Sequence, residues 1–195
     1  MTSLQNYLKE TPVITTKIAD KIGVNRQQLS LLVKEGKLER IRPGVYQKKG
    51  ELIDNLKVVV ANSEKIIFSH QTALYLHDLC DRIPSYYYIS VPQGYNTLHL
   101  KKRHKNLRVK YVKKELFTLG LTEITTSFGS IIPVYNLERT ICDIIINRNN
   151  IDRQVYIDGI TRYFKRKEKN IEQLIKYSYL FNIENEVKQY LEVLL

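Results

Sequence analysis

Residues 24–47 read VNRQQLSLLVKEGKLERIRPGVYQ. The stretch divides at Gly36. Before it, Leu29, Leu32 and Val33 recur at helical spacing behind Asn25, a residue type that caps helix N-termini. Gly36 supplies the C-terminal stop. After it, residues 37–41 and 45–47 read as two short strands around Arg42-Pro43-Gly44, a turn set between apolar residues. A helix followed by a basic hairpin is therefore expected.

Working towards the N-terminus, Ser3 is expected to cap a helix that buries Leu4, Tyr7 and Leu8, with Pro12 ending it. Thr15 or Thr16 caps a second helix carrying Ile18, Ala19 and Ile22, and Gly23 permits the turn into the third. Helix, helix, turn, helix and hairpin together make a winged helix-turn-helix over residues 1–50. This segment holds ten Lys or Arg against four Asp or Glu, a net of +6.

Residues 51–195 are expected to form an α+β domain. A linking helix spans 51–63, with Leu52, Leu56, Val59 and Val60 inward, and residues 65–68 make a strand. Ser69 caps a helix from His70 to about Leu79. The run YYYISV at 86–91 reads as a strand with at least one of its tyrosines in the core. Further strands fall at 98–101, 107–112, 121–128 and 131–135. Asn136 then caps a helix burying Leu137, Ile141, Ile144 and Ile145, and three more helical patterns complete the chain. The fold class is thus α+β: a winged domain, then a small mixed sheet with a helical C-terminus.

The net charge of +11, with a pI of about 9.5, favours a polyanionic partner. A hydrophobic fraction of 43% makes the chain globular rather than disordered. No apolar run approaches the ~20 residues that span a bilayer. The N-terminus lacks a signal-peptide pattern, so a cytoplasmic protein with Cys80 and Cys142 as reduced, buried thiols is expected.

With Leu29, Leu32 and Val33 inward, the third helix turns Arg26, Gln27, Ser30 and Lys34 outward, with Gln28 at the margin. Its N-terminal half, Asn25 with Arg26, Gln27 and Gln28, has the chemistry that reads base edges: Arg grips guanine, Gln or Asn grips adenine. Thr16 and Lys17 stand where a helix N-terminus meets a phosphate. Arg40, Arg42, Lys48 and Lys49 form the positive edge of the hairpin. The alternative is a protein-docking module with a solvated polar face.

A second basic run holds eight Lys or Arg and no acid from 101 to 114. Within it, Lys101, Lys102, Arg103, Lys105, Arg108 and Lys110 make either a phosphate-binding surface or a solvated strand face. His70, His77, His99 and His104 accompany no metal-binding motif, and His70 reads as a packing residue. No catalytic constellation, metal site or cofactor is expected. A nuclease-like enzyme is the rival reading, opposed by the missing acidic cluster.

Three segments resemble the AbiEi antitoxins of bacterial type IV toxin–antitoxin and phage-defence (abortive infection) systems. They are IADKIGVNRQQLSLLVKEGKLERIRPGVYQ at 18–47, IIFSHQTALYLHDL at 66–79 and PVYNLERTICDII at 133–145. The likeness covers most of residues 5–150. It implies a transcriptional repressor whose winged domain binds inverted repeats in its own promoter on double-stranded DNA. It also implies that the remainder counters a nucleotidyltransferase toxin of the AbiEii class without needing to touch it. Glu138, Arg139 and Asp143 lie in the last segment, with Arg139 and Asp143 at i,i+4 spacing. The residues themselves favour a buried polar lock holding their helix to the sheet, with a part in antitoxicity as the alternative.

Overall fold

The computed structural model describes residues 2–194. It is a mixed α+β structure with two small sheets and a helical C-terminus. The chain forms two compact units. One runs to Glu64 and takes in Glu123–Ile132; the other comprises Lys65–Thr122 and the chain from Pro133 onward.

The N-terminal unit begins with α1 (Thr2–Glu10), β1 (Val13–Thr15), α2 (Thr16–Lys21) and α3 (Arg26–Lys34). Ser3 lies inside α1 rather than capping it, and its hydroxyl donates to the Ile22 carbonyl at 3.2 Å. Of the two candidate threonines, Thr15 caps α2, accepting from the Ile18 amide. Asn25 caps α3 as expected, accepting from the Gln28 amide at 2.9 Å. Gln28 completes a capping box by accepting from the Asn25 amide at 2.8 Å. The hairpin follows as β2 (Leu38–Arg42) and β3 (Val45–Lys48). β1 was not expected, because three residues carry no readable periodicity. It pairs antiparallel with β3, Ile14 opposite Tyr46, and makes the sheet three-stranded in the order β1-β3-β2. Leu4, Ile14, Ala19, Leu29 and Leu38 fill the core beneath the helices.

The expected helix at 51–63 is shorter: α4 spans Asn55–Val60. Asp54 takes the cap, accepting from the Lys57 amide at 3.0 Å, so residues 51–53 stay outside and Leu52 is 75% exposed. Val58 and Ala61 pack with Val13 and Val45, and this carries the compact unit past residue 50.

A distant segment completes the unit. The second carboxylate oxygen of Asp54 accepts from the Thr126 hydroxyl at 2.7 Å. The Thr11 and Ser130 hydroxyls lie 2.6 Å apart, and Lys57 Nζ donates to the Ile131 carbonyl at 2.7 Å. Gly129, at φ +82°, sits so close that a Cβ would strike the Glu10 carbonyl oxygen.

The second sheet is five-stranded and mixed, in the order β6-β5-β4-β8-β7. Its strands are β4 (Ile67–Phe68), β5 (Tyr87–Pro92), β6 (Leu107–Val112), β7 (Leu121–Thr125) and β8 (Ile131–Tyr135). The C-terminal unit holds β4, β5 and β6 whole. β4 runs antiparallel to β5 and parallel to β8, while β5 and β6 are parallel, Tyr88 opposite Arg108. α5 (His70–Leu76) follows β4, and α7 (Lys114–Phe117) follows β6. The expected strand at 98–101 is a helix, α6 (Leu98–Arg103). Only Leu100 of this segment is buried. Lys101, Lys102 and Arg103 all reach solvent near a helix C-terminus, where the dipole favours cations; a strand with one buried face would have turned one of them inward. None of Tyr86, Tyr87 and Tyr88 is fully buried, against expectation. Each has a partner ring or cation instead: Arg108, Phe68 and His70 respectively.

α8 (Leu137–Ile146), capped by Asn136, is the central helix, and α9 (Arg153–Lys165), α10 (Ile171–Phe181) and α11 (Glu184–Leu194) follow it. Every residue from Glu138 to Ile145 is buried. The charged members are therefore paired internally. Arg139 Nε donates to Asp143 at 3.0 Å, and Nη1 donates to the Leu116 and Leu119 carbonyls at 2.9 and 3.1 Å. The guanidinium lies 4.3 Å from the Tyr135 and Phe181 ring centres. Glu138 accepts from the Tyr163 hydroxyl and the Asn170 amide.

Two stability outcomes follow from these contacts. Gly129→Ala and Gly23→Ala both place alanine in left-handed backbone, about 1–3 kcal/mol, but nothing lies within 4 Å of a Cβ at Gly23. Urea unfolding is expected to show the larger loss for Gly129→Ala; equal losses would mean that the 123–132 segment is not seated against α1. Arg139→Met leaves Asp143 charged and buried, and is expected to cost about 3–5 kcal/mol. The Arg139→Met/Asp143→Leu double variant removes both charges and should lose less than that single variant in the same titration.

Candidate nucleic-acid interface

The outward face of α3 is organised by its own cap. Asn25 and Gln28 are exposed, but each side chain is engaged in the capping box. Their neighbours Arg26 and Gln27, with Ser30 and Lys34 further along, are exposed on the same helix. No carboxylate lies within ion-pairing distance of Arg26 or Lys34 among the described residues. Lys17, at the start of α2, pairs with Glu64. The Thr16 amide donates to the Gly44 carbonyl at 3.0 Å, so the start of α2 is tied to the hairpin turn. Gly44 has φ +75°, and a Cβ there would meet Asn62 and Thr16 at 3.2 and 3.3 Å, which is why this turn takes glycine.

The hairpin divides its cations. A bulge between Arg40 and Arg42 breaks the strand's alternation. Arg40 stays exposed, as do Lys48 and Lys49 on the other limb. Arg42 instead turns inward, and its Nη2 donates to the Val58 and Ala61 carbonyls at 2.9 and 2.8 Å. It thereby binds the C-terminal end of α4, where a cation meets the helix dipole. Lys48 pairs with Glu51 at 2.7 Å. Among the described residues, the candidate cations Arg26, Lys34, Arg40 and Lys49 have no carboxylate within ion-pairing distance.

Residues 6–47 match the family model for transcriptional regulators of the AbiEi antitoxin type. The matched residues start in α1 and end in β3, so the AbiEi signature covers α2, α3 and the hairpin. The match takes in less than a quarter of the chain. No protein of curated function matches the chain. The crystal structure of the RV2827C protein from Mycobacterium tuberculosis is similar in fold, with a TM-score of 0.58 at 14% identity, covering 99% of this chain and 80% of that one. Among the described residues, no helix is long and apolar enough to cross a membrane.

Beyond the matched segment, the remaining candidates separate. Glu138, Arg139 and Asp143 are buried and bonded internally, as a polar lock requires. Lys101, Lys102, Arg103 and Lys105 are exposed on and after α6. Arg108 and Lys110 stand apart from them on the edge strand β6, two residues apart and so on one face of the sheet. The Arg108 guanidinium lies 3.9 Å from the Tyr86 ring centre, and Lys110 Nζ donates to Asn147 Oδ1 at 2.6 Å.

Asn147 links this edge to His70. With Oδ1 bound by Lys110, the amide nitrogen faces His70 Nε2 at 2.7 Å and the Asp143 carbonyl at 3.2 Å. Nε2 must then accept, which places the imidazole proton on Nδ1, 2.9 Å from the Ser69 hydroxyl. Ser69 accepts from Ser90 and gives no side-chain cap to α5. His70 itself has φ +52°, a left-handed backbone that its contacts must hold in place. Asp143 Oδ2 lies 3.9 Å from His70 Nδ1, yet burial holds the imidazole pKa below its usual value. His77 Nε2 donates to the Tyr135 carbonyl at 2.7 Å, and burial lowers its pKa too. Asn147 carried no motif in the sequence; its role emerges only because the C-terminal end of α8 meets β6 and α5.

Both imidazoles bind protons more weakly in the folded chain than in the unfolded one. Their contribution to stability is complete above the unfolded value of about 6.5 and declines as pH falls through the lower folded values. Thermal melting is expected at lower temperature at pH 5.5 than at pH 7.5, before carboxylates titrate. A melting temperature that is flat across this window would show that the rings are solvated in the folded chain.

Proposed function

We propose that residues 1–50 form a winged helix-turn-helix that binds inverted repeats in double-stranded DNA at the protein's own promoter and represses transcription. α3 enters the major groove, and the β2–β3 hairpin serves as the wing against the phosphate backbone. The observation that carries this reading is the exposed Arg26, Gln27, Ser30 and Lys34 face, held by a capping box and left without neutralising carboxylates. Arg26 and Gln27 are the base-reading pair. Ser30, Lys34, Arg40, Lys48, Lys49, Thr16 and Lys17 are assigned to backbone contacts; Asn25, Gln28 and Arg42 act by positioning them.

Residues 51–195 provide the antitoxin function, opposing a nucleotidyltransferase toxin in the cytoplasm without an enzymatic step of their own, in a system of phage defence by abortive infection. Glu138, Arg139 and Asp143 contribute to it by keeping the fold intact.

Gel-shift titration of promoter DNA tests the regulatory half. Arg26→Ala is expected to weaken operator binding by about 1–3 kcal/mol and to relax the preference at one base position. Lys49→Ala should weaken all sequences alike and lower the salt dependence by about one counterion. Promoter affinity unchanged by both substitutions would remove α3 and the hairpin from the interface.

A further inference from the structure

We propose that the C-terminal unit binds a nucleoside phosphate in a bipartite cleft beside strand β6. One half is a cleft of about 340 Å³ whose walls include His70, Arg108, Lys110 and Asn147. Its two cations have no carboxylate partner among the described residues. Lys110 spends one proton on the neutral Asn147 amide and retains two. The Arg108 guanidinium carbon lies over the Tyr86 ring, 3.9 Å from its centre, and no N–H group of the guanidinium is spent on a carboxylate among the described residues. No acidic residue lines this half. Two unneutralised cations in a concavity, one of them fixed by a hydrogen-bonded amide, suit a phosphate group.

The other half adjoins it. A second cleft, of about 170 Å³, shares Gln71 and Tyr88 with the first and adds Ile83, Pro84 and Tyr86. Ile83 is 70% exposed there, and Tyr86 is 38% exposed. The acid of this half, Asp152, is already met by Arg82 at 3.5 Å. An apolar, tyrosine-lined space next to a phosphate-binding one suits a base attached to that phosphate, because base stacking on aromatic rings tolerates any base. Inorganic phosphate alone would leave this half unused. The phosphate and base can come from a free nucleotide or from a nucleotide within a single strand.

Isothermal titration of the full chain separates these cases. The probes are adenosine and uridine 5′-monophosphates, a ten-residue oligouridylate and inorganic phosphate. The Arg26→Ala/Lys34→Ala background removes the α3 face from the measurement. Arg108→Ala and Lys110→Met are each expected to weaken nucleotide binding by at least about tenfold while melting as the parent does. Tyr86→Ala, at an exposed position, should weaken nucleotide binding more than it weakens phosphate binding. Binding of the monophosphates assigns a free nucleotide. Binding of the oligouridylate alone, with the same dependence on Arg108, assigns a strand. The proposal is overturned if neither class binds, if binding ignores Arg108→Ala and Lys110→Met, or if phosphate binds the parent as tightly as the monophosphates do.

Discussion

The C-terminal unit depends on a buried guanidinium. Arg139 is 1% exposed, and an unpaired charge there would unfold the helix that carries it. Asp143 balances the charge, two carbonyls before β7 take the remaining hydrogen bonds described, and two aromatic rings cover the faces. These partners come from α8, the α7 turn, β8 and α10. One side chain therefore sets where four separate elements meet. The same demand explains the neighbourhood: Glu138 is bonded to α9 and to the start of α10. A helix buried all round can keep three charged residues only where each finds a partner on another element.

The N-terminal unit uses its polar residues in two ways. Asn25, Gln28 and Arg42 satisfy backbone groups at helix ends, and Asp54 does so while also holding Thr126. Arg26, Gln27, Ser30 and Lys34 satisfy nothing internal and face solvent. The first group makes the second useful. A recognition face needs a helix whose N-terminal turn does not fray and a hairpin whose turn is anchored, here by the Gly44 carbonyl accepting from Thr16 and Asn62.

Much of this was legible beforehand where a local rule had enough residues to act on. Asn25 and Asn136 announce helices because the cap and the apolar spacing agree. Arg42 was not legible: its place in a basic hairpin suggests a phosphate contact, and a one-residue bulge sends it to α4 instead. The segment at 98–101 misled for a related reason, since a short run of alternating leucines fits a strand or a helix anchored by Leu100 alone. Alternation along YYYISV puts at least one tyrosine in the core, yet the strand lies next to the sheet edge, where rings pack against neighbours without full burial.

The sequence by itself determined the local order: α2, the turn and α3 with its outward cations, the basic hairpin, and the capped apolar helix at 137–146. Those features rest on interactions within a few residues, and periodicity, caps and turn residues encode them directly. Only the tertiary structure decided that Glu123–Ile132 belongs with the N-terminal unit, that β1 joins the hairpin, and that Lys110 orients His70 through Asn147. Each of these joins groups far apart in the chain. Such pairings are chosen by which buried donors and acceptors remain unsatisfied once the helices and strands have packed, and that choice leaves no local pattern in the sequence.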